Sequence, residues 1–502
     1  MPSYLSPGVY VEEVESGSRP IEGVGTAVAA FVGLAERGPC DEPTLVGNWG
    51  QFTQVFGGFL EGGNLAQAVF GYFLNGGSNC YVVRVGTPEQ RGGPAQARLG
   101  GYRVLTRELP AGKGAGEITV EVADPTEENA PDDRFTLLVK QDGKVVETHA
   151  ATTRRGKDNV VTVVREKSAL ITLEEVASGQ IAKPDKGAVT LAAPAAAPPA
   201  AIRAEQIVGD VADRTGFGGL EVVDEVTMVA VPDLMGFYER GLIDLDGVRA
   251  VQSAMIAHAE LMGDRMAILD APRGLNAQQV KQWREEVNYD SRYAALYYPW
   301  IKVADPAGDG TVFVPPSGHM AGVWARNDAT RGVHKAPANE VIRGAIALQT
   351  QLTQAEQSLL NPLGVNCLRS FAGRGIRVWG ARTLSSDSDW RYLNVRRLFN
   401  YLEESILNGT QWVVFEPNDE ALWARVRRTI SSFLVMEWRR GALFGSTPDE
   451  AFYVKCDRET NPAESIDQGQ VVCEIGVAPV KPAEFVVFRL AQLSGGTSLV
   501  NE

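Results

Sequence analysis

Between residues 226 and 298 apolar strand-like runs alternate with amphipathic helical runs, and this alternation restricts the fold more than any other feature of the chain. Val226–Val231 reads as a buried strand, and Val248–Met262 carries Val251, Met255 and Met262 at helical spacing. Met266–Leu269 reads as a second strand, Asn276–Asn288 as a helix opened by an Asn cap, and Tyr293–Tyr298 as a third strand. Strand, helix and strand in that order predict right-handed crossovers and a parallel sheet covered by helices, so the expected class is α/β.

The flanks read differently. Residues 88–205 hold only Tyr102 and Phe135 as aromatics, whereas eight of the nine tryptophans lie at or after Trp283. The runs Ile118–Val122, Phe135–Val139 and Val160–Val164 look like strands between Gly, Pro and charged turns, and Ala192–Ala201 is an Ala/Pro tract suited to a semi-rigid linker. This stretch is expected to be a β-rich module inserted into another domain and carrying little of its core. Further on, Asp387 and Asp389 are candidate caps for a helix near Arg391–Leu407, whose stripe is Val395, Leu398, Phe399, Leu402 and Ile406. Trp412–Phe415 reads as a short strand. Asp419–Arg440 reads as a helix with Trp423, Val426, Ile430 and Phe433 on one face and Arg425, Arg428, Ser432 and Arg439 on another. Ala451–Lys455, Gln470–Val477 and Glu484–Leu493 are strand candidates, which makes this end α+β.

Charge is partitioned along the chain. Of 48 basic and 62 acidic residues, 16 and 11 fall within 326–440, a local excess of five positive charges on a chain of net −14. An acidic total argues against general nucleic-acid affinity, and the basic segment suggests docking to an acidic partner. Apolar runs such as Val226–Val231 and Phe485–Phe488 fall far short of the ~20 residues that span a bilayer, so no membrane insertion is expected. Met1-Pro2-Ser3-Tyr4 opens with neither a basic nor an apolar leader segment. Cys40, Cys80, Cys367, Cys456 and Cys473 are widely spaced without C-x-x-C, which reads as reduced thiols made in a cytosol and as no zinc site.

Open parallel sheets bind ligands at the carboxyl ends of their strands, and Asp233, Asp270 and Asp305 each follow a strand candidate. With His319 they offer the alternative reading of a metal- or acid/base-dependent hydrolase. Asp at a strand end is equally ordinary turn and cap chemistry. His258 lies on the Val251/Met255/Met262 face and reads as packed, and His149 and His334 lack ligand spacing. There is no H-E-x-x-H and no G-x-S-x-G, and Gly496-Thr497-Ser498 leaves no room for a following helix. The glycines at 112–116 and at 23–25 match neither phosphate-loop pattern. No catalytic residue, cofactor or metal is expected.

The ends carry more. SPGVYVEEV at 6–14 is a β-prone arm with Val9, Tyr10, Val11 and Val14, and Phe485, Val486, Val487 and Phe488 centre a second arm. Loose terminal strands can pair with sheet edges of neighbouring copies or within their own chain. Together with AFVGLAERGP at 30–39, PPSGHMAGVWARND at 315–328, RGVHKAPANE at 331–340, LNPLGVNCLR at 360–369, GIRVWGARTLSSDSDWRYLNVRRLFNYLEESI at 375–406 and WVVFEPND at 412–419, the chain resembles the tail-sheath proteins of contractile phage tails and of phage-tail-like injection systems. The resemblance covers the start and nearly all of 206–490, but not 88–205.

That resemblance implies an N-terminal arm at 1–22, a core at 23–87 and 206–383 with subtilisin-like topology and no triad, an outer insertion at 88–205, a polymerisation domain at 384–482 and a C-terminal arm at 483–502. It implies a structural subunit, not an enzyme, in stacked six-fold rings around an inner tube, with baseplate and tail-terminator or cap proteins as partners. Assembly would occur in the bacterial cytoplasm, and the arms would complete a sheet on another subunit. Contraction would drive the tube through a target envelope. The Arg425, Arg428 and Arg439 stripe is the candidate tube-facing surface.

Overall fold

The computed structural model describes residues 20–489 apart from 61, 87–95, 108–117, 126–130, 132, 142, 155, 177–182, 192–201, 306, 307 and 309. The chain forms two compact units, one of residues 25–329 and 337–386, the other of residues up to 24, 330–336 and 387 onward.

The first unit is built on an eight-stranded sheet in the order Gly375–Val378, Val365–Phe371, Ala294–Tyr298, Met266–Asp270, Met228–Ala230, Ala29–Gly33, Cys80–Arg84, Thr44–Val46. The six inner strands run parallel and both edge strands antiparallel. Every residue of Ala29–Gly33, Met266–Asp270 and Ala294–Tyr298 is buried, as expected for parallel strands covered on both faces. The three strands expected from the 226–298 alternation lie side by side at its centre. The helices between them, Leu245–Met262 and Ala277–Val287, are opened by Asp244 and Asn276, whose side chains accept from Gly247 N and Gln279 N. The Ser317–Arg331 helix packs against Leu65–Asn75 through Gly318 and Gly322, where a Cβ would stand 2.4 Å from Ala68 Cα and 2.5 Å from the Tyr72 carbonyl oxygen. Only glycine permits that approach. A three-stranded sheet, Thr311–Val314, Ile301–Ala304 and Ala345–Leu348, completes this part.

Residues 96–191 build two antiparallel sheets of their own, one of four strands and one of three, around a separate core that includes Tyr102, Val120, Phe135, Leu137 and Ile171. Val160–Val164 is not a strand but opens the helix Val160–Lys167. Asn159 accepts from Val161 N, and Val160, Val163 and Val164 bury one face, so cap and packing override β-branched propensity. The Ala192–Ala201 tract lies outside the described residues.

In the second unit the helices Leu393–Gly409 and Glu420–Arg439 share a core of Leu398, Leu402, Leu422, Trp423, Val426, Ile430 and Phe433. Ile21 and Val333 belong to this core, so residues 20–24 and 330–336 group with the C-terminal part and not with the parallel sheet. Asp419 caps its helix, accepting from Leu422 N. Asp387 and Asp389 do not cap the preceding helix: Asp387 accepts from Asp389 N in a local turn, and the helix starts after Tyr392 without a side-chain cap. Trp412–Phe415 is not a strand but a 3-10 turn over Gln411–Val413, ending with Phe415 at φ +67°. Phe452–Lys455 and Glu474–Val477 form a two-stranded antiparallel ladder, so the strand read from Gln470 begins only at Glu474. Residues 484–489 form no strand.

Candidate functional site

The order of the central sheet reverses direction beside Ala29–Gly33, the position where open α/β sheets leave a ligand crevice. Asp233 fills that position. Its carboxylate accepts from Leu34 N at 2.7 Å, from Leu65 N at 3.2 Å and from Asn64 N, so it ties one strand end to the first turn of the Leu65–Asn75 helix. The contact is tight enough that a Cβ on Gly33 would stand 2.2 Å from Asp233 Oδ2. Burial raises the Asp233 carboxyl to about 6 against the lowering effect of those three donors.

Asp270, at the end of the next strand, accepts from Ser317 N at 2.9 Å and fixes the start of the glycine-bearing helix. Burial raises it to about 7, with Ser317 pulling the other way. His319 is buried and held neutral, lowered to about 4 by burial, with no hydrogen-bond partner at Nδ1. His258 is buried in its helix face and also lowered to about 4, by burial and then by Arg265. No group of three His, Cys, Asp or Glu side chains among the described residues is arranged to hold a metal ion. Asp233 and Asp270 thus serve as fasteners of backbone, and neither bonds to His319.

Two carboxyls raised above their unfolded values give a signed expectation. The native state binds more protons than the unfolded chain between about pH 4 and pH 7, so their contribution to stability is greatest at low pH and is lost as pH rises through that window. Thermal unfolding is therefore expected a few degrees lower at about pH 8 than at about pH 5.5 from these groups. Asp270→Asn should flatten that dependence; an unchanged slope would place the titration elsewhere.

The second unit presents a different surface. On the Glu420–Arg439 helix, Arg428 and Arg439 are exposed and make no ion pair among the described residues. Arg425 differs: it bonds Glu416 at 2.9 Å and lies 5.1 Å from the Trp412 ring centroid, so it is not a free cation as the sequence stripe implied. Arg427, which the sequence reading passed over, holds the Cys456 carbonyl at 2.9 Å. Val414 and Phe415 are exposed beside this helix's start in sequence, Phe415 fully so, and Phe444 and Tyr453 are exposed too. Their strand-like or turn-like neighbours gave no signal of exposure.

Of the arms, Val9, Tyr10, Val11 and Val14 lie outside the described residues. Phe485, Val486, Val487 and Phe488 are 73%, 68%, 76% and 84% exposed, four consecutive apolar side chains with almost no cover. Among the described residues the same unit's sheet is a ladder of two strands, packed against the helix core through Phe452, Val454, Ile475 and Val477. No described helix is long and apolar enough to cross a membrane.

Residues 236–384 match the phage tail sheath protein central domain, and residues 385–492 match the phage tail sheath C-terminal domain. The tail sheath protein of Burkholderia phage BcepMu is 25% identical over 505 residues, covering 96% of this chain and 95% of that protein. That of Vibrio phage KVP40 is 28% identical over 214 residues, covering 42% of this chain and only 31% of the relative. Among solved structures, the helical sheath of the anti-feeding prophage in its contracted state is similar with a TM-score of 0.61 and 25% identity, over 97% of this chain and 99% of that one.

Proposed function

Because the chain belongs to the phage tail sheath family, we infer that it is the repeating subunit of a contractile sheath, which polymerises around an inner tube and shortens to drive the tube through a target envelope. The observation that carries this reading is the coincidence, in one compact unit, of a two-stranded ladder and the bare apolar arm Phe485–Phe488. A sheet edge and a strand without cover are complementary parts, and a second copy supplies what each lacks. Backbone ladder bonds suit a moving joint, because a short connecting segment absorbs the rotation while the bodies repack.

In this reading the parallel-sheet core has the subtilisin-like topology of the family without its chemistry. Residues 384–482 build the polymer, the terminal arms at 1–22 and 483–502 link stacked six-fold rings, and the self-cored module within 88–205 decorates the outside. Baseplate and cap proteins bound the assembly, which forms in the bacterial cytoplasm and becomes part of a phage tail or tail-like particle. The work of contraction comes from a metastable extended polymer, held kinetically, and needs no cofactor.

Arg428 and Arg439 are the tube-facing candidates without an ion pair among the described residues, and Arg425 is a lesser one because Glu416 already neutralises it. Charged faces at such an interface govern register and encounter more than folding. Negative-stain microscopy of the purified protein is expected to give long striated tubes. Coexpression with its tube protein should fill those tubes, and Arg428→Glu with Arg439→Glu should leave them empty at an unchanged melting temperature. Discrete particles with hydrolytic turnover would overturn the sheath reading; filled tubes from the double variant would overturn only the assignment of the tube face.

A further inference from the structure

In the two-stranded ladder the pairing runs from Phe452 opposite Val477 to Lys455 opposite Glu474, so one further step sets Cys456 opposite Cys473. The kind of pairing follows from a neighbouring bond. Ala478 N donates to the Ala451 carbonyl at 2.8 Å, which makes 451/478 a hydrogen-bonded pair. Pairs alternate along an antiparallel ladder, so 456/473 is a non-hydrogen-bonded pair, the kind in which Cα atoms stand about 4.5 Å apart and side chains come closest. That spacing lies inside the range a disulfide accepts, about 4.4–6.8 Å.

Independent contacts hold both residues in place. The Cys456 carbonyl is taken by Arg427 Nη1 at 2.9 Å, away from the ladder. Buried Asn461 clamps the residue before Cys473, accepting from Val472 N at 2.7 Å and donating to Val472 O at 3.0 Å. The two thiols are free, Cys456 fully buried and Cys473 half-buried, and Asn461 Nδ2 donates to the Cys456 sulfur at 3.9 Å.

We propose that Cys456 and Cys473 are a thiol–disulfide site, which closes by exchange with a low-molecular-weight disulfide and staples the segment between them to the end of the ladder. The Cys473 sulfur, the more accessible, attacks the small disulfide and releases one thiol; Cys456 then attacks Cys473 and releases the second. Two protein S–H bonds and the oxidant's S–S bond are exchanged for one protein S–S bond and two small thiols, with no other reactant. Burial raises both thiols above the ordinary range, so thiolate is scarce at neutral pH and the pair stays open during synthesis in a reducing cytosol. Exchange should accordingly speed roughly tenfold per pH unit between about pH 7 and pH 9.

The test is incubation of the native full chain with oxidised glutathione, followed by alkylation, proteolysis and mass spectrometry. The expected product has lost two hydrogens, contains Cys456 and Cys473 in one cross-linked peptide pair, resists iodoacetamide at both, reverts with dithiothreitol, and melts several degrees higher than the reduced form. Cys473→Ser should abolish the cross-link and the shift. A stable glutathione adduct on Cys473, or both thiols alkylated after oxidation, would overturn the proposal.

Discussion

Removal of residues 485–502 is expected to leave a folded, soluble monomer that no longer forms tubes. Phe485–Phe488 are so exposed that deleting them takes away little of the chain's own packing, and the helix–helix core around Leu398, Trp423 and Phe433 is untouched. Surface changes of that kind cost within about 0.5 kcal/mol. Assembly depends on the same residues for ladder bonds and for apolar burial in a neighbour, and a polymer multiplies that loss over every joint. Sedimentation should show loss of the fast species with unchanged circular dichroism. Val11→Pro should act alike at the other arm, because proline lacks the ladder donor. Long tubes from the truncated chain would end the arm-exchange reading, and an unfolded product would assign the arm to its own chain's core.

The second large effect is at Asp233. Asp233→Ala leaves Leu34 N, Asn64 N and Leu65 N without their acceptor, one of them fully buried. Orphaned donors cost about 1–3 kcal/mol each when buried; relief from burying the carboxylate offsets part, so the expected net loss is about 2 kcal/mol. Asp233→Asn keeps an acceptor oxygen and should recover about half. Thermal unfolding reads both. The hydrolase alternative makes the opposite forecast, a stable protein with lost turnover, so the variant separates a fastener from a catalyst.

That distinction was out of reach of the sequence. An Asp after a strand is the same letters whether it faces a substrate or caps a distant helix, and Leu34 and Leu65 lie 199 and 168 residues from it. The C-terminal arm shows the converse. Its β-prone composition was plain, and composition alone read it as a strand; in the single chain residues 484–489 have no partner strand and form none. The strand read at Trp412–Phe415 and the ion pair of Arg425 with Glu416 were out of reach for a similar reason, since local turns and ion pairing are set by what folds beside them.

What the sequence determined by itself was periodic and local. The strand–helix alternation of 226–298, the cap at Asn276 and the packed state of His258 were all legible. The motif at 315–328 was recognisable too, and Gly318 and Gly322 give part of its physical content as the flat face on which another helix sits. Tertiary structure alone decided strand order, the filling of the switch point by Asp233, the transfer of Ile21 and Val333 into the C-terminal core, and the meeting of Cys456 with Cys473. The reason is range: helix and strand periods arise between residues a few positions apart, whereas register, burial and charge pairing depend on partners that the linear order does not name.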